Sequence, residues 1–331
     1  MSIPPIAVTM GDPAGVGGEL TLTAWLARRT NGPAFFAVDD PARLQALAKR
    51  LGLDVPIVET DGADAGAHFS TALPVVPLKL AKDAIPGRPD VAHAETAVAS
   101  IEQAVRMAVS GAASAIVTNP VYKKSLYDAG FDYPGQTEFV GALTDPAARP
   151  IMLLAGPSLK VTPLTTHLPL KDAIARVTTD AIVALGADFA SALAQDFGFD
   201  PARIAVAGLN PHAGEEGKMG REDEDIIRPA VEALRAADIA ATGPLSPDSM
   251  FHAEARAGYD AALCMYHDQA LIPLKTLDFY EGVNATLGLP VVRTSPDHGT
   301  AFDIAGKGQA NAASFLAALD MAAAIAKRRQ G

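Results

Sequence analysis

Short apolar runs alternate along the chain with longer segments of helical periodicity. The apolar runs predict strands at Ile6–Met10, Phe35–Val38, Ser114–Val117, Ile151–Leu154, Val161–Leu164, Arg203–Ala207 and Ala261–Tyr266. The helical segments are Glu19–Arg29, Pro41–Leu51, Val91–Ser110, two pieces within Lys171–Asp196, Glu222–Ala237 and a C-terminal helix. We expect irregular connections at Pro74–Pro77 and Pro244–Asp248. Strands alternating with helices in this way indicate an α/β architecture.

The stretch from Ala261 to Asn311 concentrates polar side chains at predicted strand or loop ends. His267 follows the strand Ala261–Tyr266, and Lys275 lies in the next connection. Two further strands are predicted. Gly282–Leu287 contains Asn284, and Pro290–Val292 is followed directly by Arg293. A glycine-rich turn, Asp297–Gly308, then precedes the last helix. Because open α/β sheets bind ligands outside the carboxyl ends of their strands, this stretch predicts an active site.

Three histidines have the same predicted place, after the end of a strand. His167, His212 and His267 each follow a predicted strand, and 45 and 55 residues separate them, so they form no local metal motif. Neutral imidazoles suit zinc, cobalt and nickel. The pattern leaves two interpretations open, a shared metal site and three ordinary loop or core histidines.

Two glycine-rich segments resemble nucleotide motifs only superficially. The junction Gly11–Gly18 has Leu20 where a dinucleotide fingerprint needs its third glycine. Gly217-Lys218 is followed by Met219, where a phosphate loop has Ser or Thr. A strand-to-helix turn is therefore the favoured interpretation of the first segment.

Charge and composition restrict the partners. The 331 residues include 27 basic and 38 acidic side chains, a net charge of −11, which argues against a nucleic-acid partner. The single cysteine, Cys264, lies in an apolar run, so we expect a core residue in a reducing cytoplasm. The N-terminus lacks the features of a signal peptide, and no apolar run reaches about 18 residues, so no membrane segment is expected.

Several motifs together resemble one family. They are MGDPAGVG, TNPVYKK, PGQTEF, TTHLPL, GLNPHAGEEGKMG, MYHDQALIPLK, GVNATLGLP and RTSPDHGTAFDIAGKG. They resemble the 4-hydroxythreonine-4-phosphate dehydrogenase family of vitamin B6 biosynthesis. HGTAFDIAGKG also resembles the cofactor loop of isocitrate and isopropylmalate dehydrogenases, whose fold that family shares. The resemblance implies a two-subdomain α/β/α fold with substrate in the cleft. One subdomain would consist of residues 1–138 plus 274–331, with both termini and the cofactor loop. The other would consist of residues 139–273 and would carry the metal histidines and the dimer interface.

The resemblance also implies roles for single residues. His167, His212 and His267 would hold one divalent metal (Zn, Mg or Co), and His298, Gly299, Thr300 and Asp303 would contact NAD or NADP. The implied substrate contacts are Gln136, Thr137, Lys275, Asn284 and Arg293. Lys275 is also the candidate acid/base, with a simple phosphate counter-charge as an equally supported role. The implied assembly is a homodimer with shared sites, taking His167 from one subunit and His212 and His267 from its partner.

One departure from the family concerns the substrate contacts. Gln136 stands where the family often has histidine; glutamine forms hydrogen bonds but carries no charge. Gly18 replaces a frequent proline within a turn.

The implied reaction is oxidation of 4-phosphooxy-L-threonine (4-hydroxythreonine 4-phosphate) at C3 and decarboxylation to 3-amino-2-oxopropyl phosphate. The alternatives within the superfamily are dehydrogenases of 4-phospho-threonate, 4-phospho-erythronate or aromatic dihydrodiols. A phosphate acyltransferase-like enzyme and a non-catalytic metal-binding protein are alternatives of other classes.

Overall fold

The computed structural model describes residues 3–331 and has the predicted α/β class. Its strands are β1 (Ile6–Thr9), β2 (Phe35–Asp39), β3 (Ile57–Glu59), β4 (Leu73–Pro77), β5 (Ile116–Val117), β6 (Ile151–Ala155), β7 (Lys160–Pro163), β8 (Ile204–Ala207), β9 (Ala241–Leu245), β10 (Ala261–Cys264), β11 (Val283–Leu287) and β12 (Arg293–Pro296). Its α-helices are α1 (Gly17–Arg28), α2 (Pro41–Leu51), α3 (Ala65–His68), α4 (Ala94–Val109), α5 (Lys123–Asp128), α6 (Gln136–Thr144), α7 (Leu170–Ile174), α8 (Thr179–Phe197), α9 (Arg228–Ala236), α10 (Ala253–Arg256), α11 (His267–Asp278) and α12 (Ala313–Arg329). Short 3-10 turns cover Val91–His93 and Pro211–Gly214, and a π-helical turn covers Asp223–Ile227.

The chain divides into two compact units, one formed by Ile151–Gly288 and the other by the chain before and after it. In the unit with both termini, the strand order is β3-β4-β2-β1-β5-β12. All five neighbouring pairs in that order are parallel. Its core includes Phe36, Ile101 and Phe139, which lie in one buried cluster. The carboxyl ends of these parallel strands therefore meet at a single edge of the sheet.

The strand order in the Ile151–Gly288 unit is β11-β6-β7-β10-β8-β9. β6 is antiparallel to both β11 and β7, whereas β7, β10, β8 and β9 run parallel. Leu154, Ala205 and Leu274 belong to its buried cluster. Among the described residues, no helix is long and apolar enough to cross a bilayer.

Both boundaries of the units lie later in the chain than the expected division at 138/139 and 273/274. At the first boundary, Phe139 and Val140 of α6 pack into the cluster of the terminal unit. At the second, β11 forms a five-residue antiparallel ladder with β6, which keeps the chain up to Leu287 with the central unit. Packing and pairing partners, which are remote in sequence, thus decide where each unit ends.

Local signals are sufficient for some elements. The predicted helix Pro41–Leu51 has these bounds in the structure. Asp40 caps it by accepting hydrogen bonds from the backbone N–H groups of Ala42 and Arg43 at 2.8 and 3.1 Å, and Gly52 ends it in the left-handed conformation. An aspartate N-cap is an established start signal of a helix, and a left-handed glycine is an established stop signal.

Other expectations were wrong. The strand expected at Pro290–Val292 instead begins at Arg293, because Arg293 pairs with Ile116 in the parallel ladder with β5. Pro74–Pro77, expected to be irregular, belongs to β4; both prolines lie near its ends and the ladder continues between them. β9 likewise includes part of the connection expected at Pro244–Asp248.

Lys275 was expected at a strand or loop end and instead lies in the last turn of α11. That helix contains Pro273, and proline is disfavoured in the interior of a helix. The hydrophobic pattern also did not predict the strand β3.

Candidate functional site

The three candidate metal histidines follow strands that are neighbours in one sheet. His167 comes four residues after β7, His212 five residues after β8, and His267 three residues after β10. β10 lies between β7 and β8 and runs parallel to both. Strands far apart in sequence therefore carry all three imidazoles to the same sheet edge.

Buried hydrogen bonds hold these strand ends together. The Gln269 side chain accepts from the Met265 backbone N–H and donates to the Gly208 carbonyl, both at 2.7 Å, which links the ends of β10 and β8. The Thr165 hydroxyl donates to the Met265 carbonyl at 2.9 Å, which links the segment after β7 to β10. The loop before His212 is held by buried Asp223, whose carboxylate accepts from the backbone N–H of Leu209 at 2.8 Å.

The histidines do not all meet within the chain. The rings of His167 and His267 have centroids 5.8 Å apart. His212 instead faces Asp248, with Nδ1 4.0 Å from a carboxylate oxygen. Within residues 3–331, no three His, Cys, Asp or Glu side chains are grouped so that they could hold a metal ion.

Carboxylates accompany two of the imidazoles. Asp268 Oδ1 lies 2.7 Å from His267 Nδ1, a contact that orients the ring and directs Nε2 away from the carboxylate. The pKa of exposed Asp248 is lowered, first by a hydrogen bond from Ser246 and also by the charge of nearby His212. Asp248 is therefore a carboxylate at neutral pH and favours a cation near His212.

Two expected substrate contacts also belong to the central unit. The Lys275 ammonium lies 5.7 Å from the centre of the exposed Phe279 ring, a cation–π distance. Asn284 is half-buried on β11 and pairs with Leu154 of β6.

The terminal unit contains a buried guanidinium. Arg293, at the start of β12, is 4% exposed. Its Nε and Nη2 donate to the Thr118 hydroxyl at 3.2 and 2.7 Å, and Nη1 donates to the Thr137 hydroxyl at 3.3 Å. Burial lowers the pKa of Arg293 to about 10, opposed by the charge of Glu138, so the group remains cationic at neutral pH. A buried cation held by hydroxyls is suited to binding an anionic ligand group.

Gln136 lies beside this group, in the first turn of α6. Its Nε2 donates to the Asn119 carbonyl at 3.3 Å. Its Oε1 is buried, and no described residue donates to it. This arrangement presents a neutral hydrogen-bond acceptor next to Thr137.

The expected cofactor residues lie in the turn that follows β12. His298, Gly299 and Asp303 are exposed, while Thr300 is half-buried. The Thr300 carbonyl accepts from the Val16 N–H at 3.0 Å, so the β1–α1 junction supports this turn. Gly15 favours this close approach, because a Cβ atom there would lie 3.0 Å from the Thr300 carbonyl oxygen, a tight contact.

Sequence reasoning missed the residues that position these groups. Thr118 begins the TNPVYKK motif, and Gln269 lies within the MYHDQALIPLK motif, two positions after His267. Nothing local indicated their partners, which are 175 and 61 residues away.

Known proteins resemble the chain along nearly its whole length. A family model described as pyridoxal phosphate biosynthetic protein PdxA matches residues 33–322. A 4-hydroxythreonine-4-phosphate dehydrogenase of Xanthobacter autotrophicus is 51% identical over 327 residues, covering 97% of this chain and 93% of that protein. The crystal structure of a 4-hydroxythreonine-4-phosphate dehydrogenase from Klebsiella pneumoniae is similar with a TM-score of 0.86 at 37% identity, covering 98% of each chain. That of a terephthalate 1,2-cis-dihydrodiol dehydrogenase from Burkholderia xenovorans is more distant, with a TM-score of 0.65 at 26% identity over 97% of this chain and 98% of the other.

Proposed function

Because the chain belongs to the family of the pyridoxal phosphate biosynthetic protein PdxA, we propose that it oxidises 4-hydroxythreonine 4-phosphate with a nicotinamide cofactor. The observation that carries the proposal is the placement of three imidazoles after three neighbouring parallel strands. The substrate is the one in the names of the relatives that are 37% and 51% identical to this chain. The dihydrodiol alternative is supported only by a more distant structure.

The donor set fits one divalent metal ion held by His167, His212 and His267. Imidazoles are good ligands for zinc and cobalt, and Asp248 and Asp268 add the negative charge that a divalent cation favours. A divalent ion held there would supply Lewis acidity toward the substrate oxygen that is oxidised. Magnesium, which prefers oxygen ligands, fits this set less well than zinc or cobalt.

The anionic substrate groups are assigned to Arg293, Thr137 and Asn284, and Lys275 is assigned to proton transfer, with the counter-charge role as its alternative. Arg293 supplies a permanent charge for phosphate or carboxylate. Gln136 adds an acceptor, which suits a substrate hydroxyl or ammonium group. In its proton-transfer role, the neutral amine of Lys275 takes the proton of the C3 hydroxyl while hydride leaves C3, and the resulting ammonium gives that proton to carbon after the β-keto acid loses carbon dioxide. The product of these steps is 3-amino-2-oxopropyl phosphate.

The 298–308 loop is assigned to the cofactor, NAD or NADP. A nicotinamide bound there would supply the acceptor for the hydride from C3. The exposed Asp303 carboxylate and the backbone of Gly299 offer the loop's hydrogen-bonding groups to a nucleotide, and Thr300 holds the loop to the β1–α1 junction through its carbonyl.

The functional unit in this proposal is a homodimer with two shared sites, because the described part of one chain groups two of the three histidines and not the third. A cytoplasmic location belongs to the same proposal. It is supported by the cysteine content, since the sequence has one cysteine, Cys264, whereas disulfides are typical of oxidising compartments.

The reduction of NAD and NADP should be followed spectrophotometrically with 4-hydroxythreonine 4-phosphate, 4-phospho-erythronate and a terephthalate dihydrodiol. We expect the first substrate to have the highest kcat/KM, chelation to abolish its turnover, and zinc or cobalt to restore it. A higher kcat/KM for either of the other substrates would replace the proposed substrate. Full activity after exhaustive chelation, with no metal by elemental analysis, would remove the metal from the proposal.

A further inference from the structure

A buried carboxylate connects helix α1 to the end of the 298–308 loop. Glu19 lies in the first turn of α1 and is 3% exposed. Its Oε2 accepts from the Gly306 N–H at 3.0 Å, and its Oε1 accepts from the Ala310 N–H at 3.2 Å. The two oxygens thus bind the backbone at Gly306, within the loop, and at Ala310, two residues after its end, across nearly 290 residues of sequence.

The position of Glu19 suits an anion. A carboxylate in the first turn of a helix interacts favourably with the positive end of the helix dipole. Burial of a carboxylate is costly unless hydrogen bonds compensate for the lost water, and the two backbone donors provide that compensation. Glu19 therefore serves as a double acceptor for this segment of backbone.

The same loop is bound from a second side. Arg50, near the end of α2, donates from Nε to the Gly306 carbonyl at 3.0 Å. Gly306 has φ +70°, and a Cβ atom there would lie 2.7 Å from Pro86 Cβ, so glycine is required for this close approach. Both polar backbone groups of Gly306 are thus bound by side chains from other elements.

We propose that Glu19, assisted by Arg50, is a positioning residue that holds the 298–308 loop in the conformation that receives the nucleotide. The inference rests on the proposed function, which assigns this loop to the cofactor. Asp303, His298 and Gly299 are exposed on the loop, so their geometry depends on how its backbone is held. A loop ordered before binding lowers the entropy cost of binding, and this advantage appears as a lower KM for the cofactor.

The test compares Glu19→Gln with Glu95→Gln. Glutamine keeps one acceptor but directs an NH2 group at the other backbone N–H. Glu95 also lies in the first turn of a helix, α4, and is exposed, so it controls for the chemical change. Amide hydrogen exchange across residues 298–311 measures the loop directly, and steady-state kinetics measure KM for NAD or NADP separately from KM for substrate and kcat.

We expect Glu19→Gln to accelerate exchange at Gly306 and Ala310 and to raise the cofactor KM about tenfold, the effect of losing roughly one hydrogen bond to a charged group. Substrate KM and kcat at saturating cofactor should change less than about twofold. The reason is that a loop which only positions the cofactor stabilises the ground state and the transition state equally. Glu95→Gln should leave all of these quantities unchanged. An effect on substrate KM or kcat larger than that on cofactor KM would overturn the proposal.

Two further variants separate the possible failures. Asp303→Ala should raise the cofactor KM if the loop holds the nucleotide at all. If it does so and Glu19→Gln does not, the role of Glu19 is wrong while the cofactor assignment stands. If neither variant changes the cofactor KM, the loop has been assigned to the wrong ligand, and the positioning role falls with it. If Glu19→Gln does not fold, Arg50→Met, which changes an exposed residue of α2, tests the proposal instead. We expect this variant to exchange the Gly306 amide hydrogen faster and to raise the cofactor KM about threefold. Unchanged exchange and an unchanged cofactor KM would contradict the proposal.

Discussion

Arg293 is a cation inside the protein, and its hydrogen bonds identify the residues that control it. Two of its nitrogens donate to one hydroxyl, that of Thr118, which is itself 0% exposed. Removing an acceptor from a buried charged donor costs more than removing a neutral partner, because the donor stays desolvated. Thr118 should therefore influence both stability and the anion-binding function proposed for Arg293.

We expect Thr118→Val to lower the free energy of unfolding by about 1–3 kcal/mol and to raise the substrate KM by about tenfold, since Arg293 loses two of its hydrogen bonds. Thr162→Val is the matched control: Thr162 is also 0% exposed, but no described residue partners its Oγ1. That variant should keep or gain up to about 1 kcal/mol of stability, since no hydrogen bond is lost. Urea unfolding and steady-state kinetics measure both effects. Equal behaviour of the two variants would show that the Thr118 hydroxyl contributes nothing specific.

Lys275→Arg distinguishes the two roles considered for this lysine. Arginine keeps the positive charge but does not exchange a proton near neutral pH. If Lys275 moves the proton, kcat should fall by about 100-fold or more while the substrate KM changes little, the size typical of lost acid–base catalysis. Lys49→Arg, on exposed helix surface, should have no effect. A retained kcat in Lys275→Arg would reassign Lys275 to phosphate binding as a counter-charge.

At the scale of elements, the 3-10 turn before α4 holds a histidine beside the β1–α1 junction. His93 is 2% exposed, and no described residue partners its Nδ1. Burial lowers the pKa of His93, although Asp90 and Asp12 oppose this, and burial raises the pKa of Asp12. Relative to the unfolded chain, folding thus shifts each side chain toward its neutral form.

The two groups affect stability in opposite directions. As pH falls through 6.5, the unfolded chain protonates His93 while the folded chain does not until the lower folded pKa, so stability is lost in that interval. Asp12 takes up its proton first in the folded state, so it adds stability as pH falls through a folded pKa above 3.8. Comparison of a His93 variant with the wild type isolates the first effect, because Asp12 is present in both.

We expect wild-type protein to lose more unfolding free energy between pH 7.5 and pH 5.5 than His93→Gln does, as measured by urea unfolding at each pH. His68→Gln is the control for removal of a histidine: because His68 pairs with Asp64, this variant should lose at least as much unfolding free energy as the wild type over the same interval. If the pH dependence of His93→Gln equals that of the wild type, His93 is protonated alike in the folded and unfolded states.

At the scale of the whole molecule, the proposed homodimer can divide the three histidines of a shared site between its chains in two ways. Family resemblance implies His167 from one subunit and His212 and His267 from the other. The 5.8 Å contact between the His167 and His267 rings of one chain instead favours a site that takes these two together and His212 from the partner. Pairs of inactive variants, coexpressed, distinguish the two arrangements because a mixed dimer is active only if one of its two sites is whole.

Under the family arrangement, His167→Ala with His267→Ala should recover about a quarter of wild-type activity, since about half the dimers are mixed and each has one whole site of two. His212→Ala with His267→Ala should recover none. Under the arrangement favoured by the ring contact, His212→Ala with His267→Ala should recover about a quarter of wild-type activity, and His167→Ala with His267→Ala should recover none. His167→Ala with His212→Ala should recover activity under both arrangements, and we expect that recovery. No recovery from any pair, with mixed dimers demonstrated by differential tags, would show that each site is built from one chain.

Local patterns in the sequence were enough to determine the α/β class, the bounds of α2 with its Asp40 cap and Gly52 stop, and the positions of the histidines after strands. These features depend on periodicity and on hydrogen bonds within a few residues, which are readable from a short window. The motifs also carried the family resemblance, which the 51% identity over 97% of the chain confirms.

Only the tertiary structure decided which strands are neighbours, that Arg293 begins β12 and that Lys275 lies on α11. It also revealed the bonds of Thr118 to Arg293 and of Glu19 to Gly306. Parallel pairing joins strands through crossovers of variable length, so neither the strand order nor a partner more than a hundred residues away is written in local periodicity. Burial of whole faces selects those partners, and burial is a property of the assembled chain.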